Sequence, residues 1–154
     1  MTKIADLKVK TEQLVSWLAP GGYLLYDSTR PLPPDSLRED VQAIGVPLTE
    51  IANTAYTDPR QRQLFKNIIY VGALSVLLDI DEKQIQRLFS EQFKGKEKLI
   101  DSNVKAMNLG RDWVKQHVDP DLVKIKVRHA DNVGDRIFVE GNSAAALGAV
   151  YGGA

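Results

Sequence analysis

The first residues that could do chemistry form a polar cluster directly behind a short apolar run. The run is YLLY, residues 23–26, and Asp27, Ser28, Thr29 and Arg30 follow it. In open α/β sheets, ligands bind at the carboxyl ends of the strands, so a carboxylate, two hydroxyls and a guanidinium there are candidate ligand-binding groups. The natural class of ligand to try for this set is an anion. The alternative is a surface turn formed by Asp and Ser, with Arg30 in solvent.

A second candidate is a glycine turn in the stretch EGNSAAALGA, residues 140–149. A glycine turn that leads into a helix can offer backbone amides to a phosphate, which makes Gly141 and Asn142 candidate cofactor-binding residues. The stretch lacks the G-x-G-x-x-G spacing of dinucleotide-binding loops, and no G-K-[ST] follows as in a Walker A loop. The alternative is that Asn142 only caps the helix.

Few residues are suited to nucleophilic, redox or metal chemistry. The sequence has no cysteine, which excludes disulfides, a thiolate nucleophile, and thiolate-bound zinc or iron–sulfur clusters in this chain. Its two histidines are His117, near a predicted helix end, and His129, in a polar stretch, and no carboxylates cluster around either. We therefore predict neither a catalytic residue nor a metal site in this sequence.

Length and composition describe an ordinary globular domain. The 154 residues have a mass of 17.1 kDa, with 44% apolar and 26% charged residues, so a core needs no disulfides to hold it. Twenty basic residues balance twenty acidic ones, which disfavours a nucleic-acid binder. The sequence contains no signal peptide and no apolar run that could span a bilayer. We therefore predict a cytoplasmic protein that does not enter a membrane.

Alternating helical and strand patterns predict a helix-rich α/β fold, a layered sheet with packed helices. A helix over residues 11–19 is followed by Pro20-Gly21-Gly22 and by a buried strand over residues 23–26. A second strand covers about residues 41–46 and ends at Pro47. The apolar residues of the first helix are expected on one face: Leu14, Val15, Trp17 and Leu18.

Further helices are expected to pack on the sheet. Asp58-Pro59 begins the longest one, because Asp accepts bonds from free amides and Pro loses no bond at the first helical position. Residues 64–78 are apolar almost all round, so we expect this helix to lack a solvent face, and Gly72 to allow close approach of another backbone. The other boundary signals are a short helix from Thr49, Asp81 as the cap of a helix over residues 82–93, Gly95 as its left-handed end, and a helix over residues 99–118 that Asp119-Pro120 ends.

The sequence changes character after residue 127. Residues 122–127 alternate apolar residues with lysine, which predicts a half-exposed strand, and RHADNVGDR reads as a polar linker. The residues IFVE then predict a buried strand, and a helix that begins at Ala144 is apolar on every face, with no later strand to cover it. The predicted units are a first domain over residues 1–127, a linker over residues 128–136, and the truncated start of a second domain over residues 137–154.

Four long stretches cover most of the chain and form a specific combination. They are PGGYLLYDSTRPLP (20–33), YTDPRQRQLFKNIIYVGALSVLLDID (56–81), QFKGKEKLIDSNVKAMNLGRDW (92–113) and VGDRIFVEGNSAAALGAVYGGA (133–154). In combination they resemble the 2-oxoacid:ferredoxin (acceptor) oxidoreductases, in particular subunits in which a gamma-type domain is fused ahead of an alpha domain. The pattern looks most like that of the 2-oxoglutarate-type enzymes, although pyruvate and branched-chain relatives share the architecture.

The resemblance implies an enzyme that oxidatively decarboxylates a 2-oxoacid with thiamine diphosphate and magnesium. It also implies electron transfer through iron–sulfur clusters to ferredoxin, and formation of an acyl-CoA. The family's GxGGQG-type loop would lie before this sequence and its YPITP-type segment after it, so no catalytic residue of the family falls on these positions. Gly141 and Asn142 match the GN that opens the family's alpha domain. The resemblance thus implies an internal piece of such a subunit, whose cofactors are held by other subunits or domains.

Three hypotheses about function follow. The first is a structural and interface portion of the oxidoreductase that has no turnover alone and whose partners are the enzyme's other subunits. The second is an independent small module that binds coenzyme A or another anion at the strand end, residues 27–30. The third is a homo-oligomer in which the C-terminal helix docks onto a second copy.

Overall fold

The structure is a computed structural model that describes residues 11–119, 121–130 and 132–153, apart from the side chain of Pro34. Residues 1–10 of the predicted first domain lie outside the described residues. The same holds for the predicted helix breaker Pro120, for residue 131 of the predicted linker and for the last residue of the predicted second unit.

The described residues contain a small parallel sheet of two strands, β1 (Tyr23–Asp27) and β2 (Gln42–Val46). Tyr23 is paired with Gln42 and Asp27 with Val46. The connection between the strands includes a short 3-10 helix, Pro34–Ser36. Both strands lie where the sequence predicts them, but β1 is half-buried along its length rather than buried, and the core residues of the sheet come from β2.

Helices make up most of the described chain, which confirms the predicted helix-rich α/β class. Residues 11–16 are helical. Five complete helices follow among the described residues: α1 (Leu48–Ala55), α2 (Pro59–Leu77), α3 (Glu82–Gln92), α4 (Glu97–His117) and α5 (Gly141–Gly152).

Two of the helix starts are capped as the sequence predicts. The Asp58 carboxylate accepts a hydrogen bond from the backbone N–H of Arg60 at 2.7 Å, with Pro59 at the first helical position. The Asp81 carboxylate does the same for Lys83 at 3.0 Å. Gly95, between α3 and α4, has a φ of +78°, which confirms its predicted left-handed conformation.

The core lies where α2 crosses α4, and glycines bring the two backbones together. A Cβ atom at Gly72 would lie 2.0 Å from the carbonyl oxygen of Met107, and one at Gly110 would lie 1.9 Å from that of Ile69. No side chain larger than hydrogen fits either position, so the predicted close approach at Gly72 is confirmed. The buried core around the crossing includes Phe65, Ile69, Ala73, Leu77, Ala106 and Val114.

Two predictions about apolar faces are wrong in part. α2 has a solvent face after all, because the side chains of Leu64 and Val71 are exposed. In the first helical segment Val15 is buried, whereas Leu14 and Trp17 are exposed. Apolar residues around a helix show that it can be buried but do not supply a partner for every face.

The predicted strand over residues 122–127 is not present, although the segment still contacts the core. Val123 is buried, but Ile125 is exposed. The backbone N–H of Lys124 donates to the Tyr23 hydroxyl at 3.1 Å, and that of Val127 donates to the Leu78 carbonyl at 2.8 Å. These bonds lead to a side chain and to the end of a helix. A ladder requires a neighbouring strand, and none lies beside the segment in the described residues.

The predicted buried strand over residues 137–140 is also absent, and its residues are exposed. Phe138 is 98% accessible and Ile137 75%. α5 begins at Gly141 with Glu140 at the N-cap position and no side-chain cap bond. The prediction that Asn142 caps this helix is therefore wrong, since Asn142 lies inside the first turn. No residue of α5 is buried.

Candidate functional site

The carboxylate of Asp27, at the end of β1, is bonded to the first turn of α1. Its Oδ1 accepts hydrogen bonds from the backbone N–H of Thr29 at 3.2 Å and from that of Thr49 at 3.3 Å. Its Oδ2 accepts a third bond from the Thr49 hydroxyl. The Thr29 hydroxyl in turn accepts from the backbone N–H of Glu50 at 3.2 Å. Together these two side chains accept bonds from two of the free amides that begin α1, those of Thr49 and Glu50.

In the sequence, Asp27 lies 22 residues before Thr49 and Thr29 lies 21 residues before Glu50, the helix residues that donate to them. Pro47 occupies the N-cap position of α1 and makes no side-chain cap bond. The parallel pairing of β1 with β2 brings Asp27 beside Val46, and thus next to the start of α1. The end of one strand therefore caps the helix that follows its neighbour.

The two remaining members of the cluster have backbone roles. Ser28 donates its N–H to the Val46 carbonyl at 3.0 Å, which extends the strand ladder by one bond. Arg30 donates its N–H to the Asp27 carbonyl at 3.1 Å and closes a turn. Its side chain is exposed and makes no hydrogen bond or ion pair within the described residues. This geometry is the surface-turn alternative, and a ligand-binding role for the four residues stays a prediction.

Asp27 is held in its charged form at the amino end of α1. Its partial burial would by itself raise the pKa of Asp27, but the hydrogen bonds from Thr49 and Thr29 outweigh burial and hold the pKa below its ordinary value. The ammonium group of Lys66 lies 4.0 Å from Oδ2. A carboxylate thus occupies the position at the helix start where the dipole would otherwise favour a bound anion.

The second candidate pair, Gly141 and Asn142, lies in the exposed first turn of α5. A Cβ atom at Gly141 would meet nothing within 4 Å. No hydrogen bond or ion pair links Asn142 to another side chain in the part of the chain that the structure describes. The structure thus brings no other group to this turn, and a cofactor role for the pair stays a prediction.

The histidines form no site in the described residues. The Nδ1 of His117 lies 2.8 Å from the Trp113 carbonyl oxygen, and its ring stacks on the Trp113 indole with centroids 4.5 Å apart. His129 is exposed. Among the residues that the structure describes, no group of three or more His, Asp or Glu side chains could hold a metal ion.

One partly buried charged group has no signal in the sequence. The Arg111 guanidinium, whose side chain is 12% exposed, donates to the Ser75 hydroxyl at 2.7 Å and pairs with the Glu82 carboxylate at 2.7 Å. These partners lie 36 and 29 residues away, on α2 and at the start of α3. In the sequence, Arg111 cannot be told apart from an arginine on the solvent-exposed face of a helix. Its two partners are distant in sequence, so local patterns cannot predict this bridge.

The fold and the strand-end cap define a helix-rich α/β domain. A family profile described as pyruvate ferredoxin/flavodoxin oxidoreductase (POR) matches residues 4–113. The match extends over more than half of the sequence. The chain belongs to this family.

Similar proteins include two curated subunits named ketoisovalerate oxidoreductase subunit VorA. The one from Methanothermobacter thermautotrophicus is 31% identical over 107 residues, 68% of this chain and 21% of the relative. The one from Methanothermobacter marburgensis is 32% identical over 101 residues, 64% of this chain and 20% of the relative. The chain thus spans about a fifth of the length of the curated relatives it matches.

A solved structure is similar over most of the chain. It is a 2-oxoglutarate:ferredoxin oxidoreductase from Magnetococcus marinus with 2-oxoglutarate, coenzyme A and succinyl-CoA bound. It matches with a TM-score of 0.71 and 28% identity over 92% of this chain and 24% of that one. The resemblance to 2-oxoacid:ferredoxin oxidoreductases is confirmed at this level. No helix in the described residues is long and apolar enough to cross a membrane.

Proposed function

We propose that this chain is part of a cytoplasmic 2-oxoacid:ferredoxin oxidoreductase, in which it supplies structure and interface rather than reacting groups. The complete enzyme would convert a 2-oxoacid, with 2-oxoglutarate as the first candidate, to an acyl-CoA and pass the electrons to ferredoxin. The observation that carries the proposal is the match of residues 4–113 to the oxidoreductase family, together with a similar solved enzyme over 92% of the chain.

The proposed assembly assigns the cofactors of the enzyme to other subunits or domains. The chain has no cysteine that could ligate an iron–sulfur cluster. The described residues also offer no cluster of His, Asp and Glu for the magnesium of thiamine diphosphate. The residues present do not fit these groups, so the groups would be held elsewhere in the complete enzyme.

Within this proposal, residues 1–127 form a gamma-type domain, residues 128–136 a linker, and residues 137–154 the start of an alpha domain. Residues 1–136 make up less than 92% of 154, so the structural match must continue beyond the linker. This supports the idea that the last segment belongs to the enzyme fold although it is exposed in this chain.

The exposed last segment is the proposed interface. Ile137, Phe138, Val150 and Tyr151 are 75%, 98%, 74% and 90% exposed, an unusual concentration of large apolar side chains in solvent. An extended segment and a helix of this composition are stable when further polypeptide covers them. The proposed cover is the remainder of the alpha domain or an adjacent subunit.

The test compares the isolated chain with the chain assembled with the remaining subunits of the proposed oxidoreductase. With thiamine diphosphate, magnesium, coenzyme A and 2-oxoglutarate, we expect viologen reduction by the assembly and none by the isolated chain. Turnover by the isolated chain would contradict the structural role. A second arm uses 2-ketoisovalerate, the substrate class in the names of the two curated relatives. A clear preference for 2-ketoisovalerate would make it, in place of 2-oxoglutarate, the proposed substrate of the complete enzyme.

The interface is tested by substitution. Phe138→Ser with Tyr151→Ser should reduce co-purification with the other subunits and leave the thermal midpoint of the isolated chain unchanged, since both side chains are exposed. The matched control is Leu88→Ser, which removes another exposed apolar side chain, 55% accessible, on α3. Equal assembly of the double variant and the control would refute the interface.

The homo-oligomer hypothesis rests on the same exposed helix. If α5 docks onto a second copy, light scattering will show a dimer or larger species for the full chain and a monomer after removal of residues 134–154. A monomer in both cases would end this alternative and leave the heteromeric interface.

A further inference from the structure

Shortly before its exposed last segment, the chain returns to the carboxyl end of α2. Residues 126–128 bond residues 77–79 in the same order, and each pair lies 49 residues apart. The Lys126 ammonium donates to the Leu77 carbonyl at 3.3 Å, the Val127 N–H to the Leu78 carbonyl at 2.8 Å, and the Arg128 guanidinium to the Asp79 carboxylate at 2.8 Å. We call these three contacts the clamp.

The clamp supplies what the end of α2 lacks. The last turn of α2 contains no basic residue, although the free carbonyls and the dipole of a helix favour cations at its carboxyl end. Residues 78–80 donate their N–H groups to the carbonyls of residues 74–76. The carbonyls of Leu77 and Leu78 are bonded by the clamp instead. Two cations distant in sequence thus complete this helix end.

Asp79 occupies a backbone position that favours glycine. Its φ is +57°, and it directly follows Leu78, the C-cap residue of α2. Glycine is the usual residue at this place, because a Cβ atom disfavours the left-handed conformation. The carboxylate of Asp79 pairs with Arg128, and the two side chains are 64% and 68% exposed. The turn alone would be better served by glycine, whereas the clamp needs the carboxylate.

No comparable contact follows the clamp. In the part of the chain that the structure describes, residues 129–130 and 132–153 make no hydrogen bond or ion pair with residues 11–128. Their hydrogen bonds are local, such as that from Arg136 Nε to the Val133 carbonyl at 3.2 Å. The clamp is therefore the last point along the described chain at which hydrogen bonds or ion pairs hold it to the first domain.

We propose that residues 126–128 act as a conformational clamp that fixes where the exposed last segment, residues 137–153, leaves the first domain. When the clamp opens, the unattached stretch ahead of that segment begins at about Val123, which is buried, rather than at His129. The inference rests on the proposed function in one respect, namely that the last segment is an interface. A fixed exit reduces the conformational entropy that this segment loses on assembly.

The first test measures heteronuclear NOE values and amide hydrogen exchange along the backbone of the full chain. We expect NOE values typical of rigid backbone through Arg128 and a fall from His129 onward. The bonded Val127 amide should exchange more slowly than that of Ile125, whose N–H has no partner in the described residues. A fall that already begins at Val123 in the wild type would overturn the proposal.

Substitutions on both sides of the exposed pair test the clamp directly. Arg128→Gln and Asp79→Gly should each speed exchange of the Val127 amide about two- to fivefold, a modest effect because the pair is exposed. Asp79→Gly should not lower the Tm, because glycine suits the φ at this position. A general loss of stability would instead lower the Tm and speed exchange throughout α2.

The matched control is Arg136→Gln. It removes the same charge from a side chain that bonds only the carbonyls of Asn132 and Val133, and it should leave exchange at Val127 unchanged. An equal effect of Arg136→Gln and Arg128→Gln would overturn the proposal. So would an unchanged Val127 amide in both Arg128→Gln and Asp79→Gly.

The effect on assembly is measured separately. Lys126→Gln combined with Arg128→Gln should weaken assembly with the remaining subunits of the proposed oxidoreductase. Assembly equal to that of the wild type, despite faster exchange at Val127, would refute the positioning role. If the wild-type chain itself does not assemble, the proposed function fails, whereas the NOE and exchange data still decide whether the clamp exists.

Discussion

Replacing either glycine at the crossing of α2 and α4 by alanine should destabilise the protein. This is the opposite of the usual result, because alanine normally stabilises a helix relative to glycine. The new Cβ at Gly72 would lie 2.0 Å from the Met107 carbonyl oxygen, and that at Gly110 1.9 Å from the Ile69 oxygen. Carbon–oxygen contacts of this kind settle at about 3.3 Å, so each methyl overlaps a backbone atom by more than about 1 Å. Neither partner is a side chain that could turn away, so the helices must separate.

The size of the effect is the balance of two costs and one gain. Overpacking a core costs about 1–3 kcal/mol, and a backbone overlap of this size belongs at the upper end or beyond. Separation by 0.5–1 Å also forfeits roughly a quarter to a half of the contact energy along the crossing. Alanine is favoured over glycine inside a helix by about 1 kcal/mol. The net expectation is a loss of about 2 kcal/mol or more for Gly72→Ala or Gly110→Ala, or roughly 4–8 °C in Tm.

Urea unfolding followed by far-ultraviolet circular dichroism measures this loss, and α5 provides the control. A Cβ at Gly148 would meet nothing within 4 Å, so Gly148→Ala should leave stability unchanged or raise it. The double variant at positions 72 and 110 should lose less than the sum of the single losses, because one separation relieves both overlaps. If Gly72→Ala unfolds at the same urea concentration as the wild type, or later, the close crossing is refuted.

Three other substitutions test side-chain roles. Asp27→Asn should cost about 1 kcal/mol at neutral pH through the weakened cap of α1. Because the pKa of Asp27 is lowered in the folded state, this contribution is complete above about pH 4 and is lost as pH falls through the folded pKa. A wild-type advantage in urea unfolding that stays constant down to pH 2 would contradict this reasoning. Arg111→Met should cost about 1–3 kcal/mol by loss of its bonds to Ser75 and Glu82, whereas Arg87→Met, which breaks an exposed pair with Glu91, should change stability by less than about 0.5 kcal/mol in the same assay. Tyr56→Phe should be neutral or stabilising by up to about 1 kcal/mol in thermal unfolding, because the buried hydroxyl finds no partner in the described residues, and a clear loss would show that it has one.

The sequence predicts the local elements well because their signals are local. Asp58 with Pro59, and Asp81, mark helix starts through bonds to amides two residues away. Gly95 adopts the left-handed turn that a residue without a Cβ atom favours. The two strands and the helix-rich α/β class follow from apolar runs between such signals.

The sequence fails where an element depends on a distant partner. Residues 122–127 and 137–140 have strand composition, but no strand lies beside them in the described part of the chain. A strand is completed by hydrogen bonds from a neighbour, and composition alone cannot supply one. The exposed Trp17 and Phe138 show the same limit for apolar side chains.

For the candidate site, too, some features follow from the sequence and others only from the tertiary structure. The sequence by itself identifies the polar strand end at Asp27, the absence of cysteine and the resemblance to an oxidoreductase family, since each is a property of consecutive residues or of composition. Only the tertiary structure decides that Asp27 caps α1 and that Arg111 bridges Ser75 and Glu82. These contacts join residues on separate elements, and their geometry is set by how the strands pair and how the helices cross.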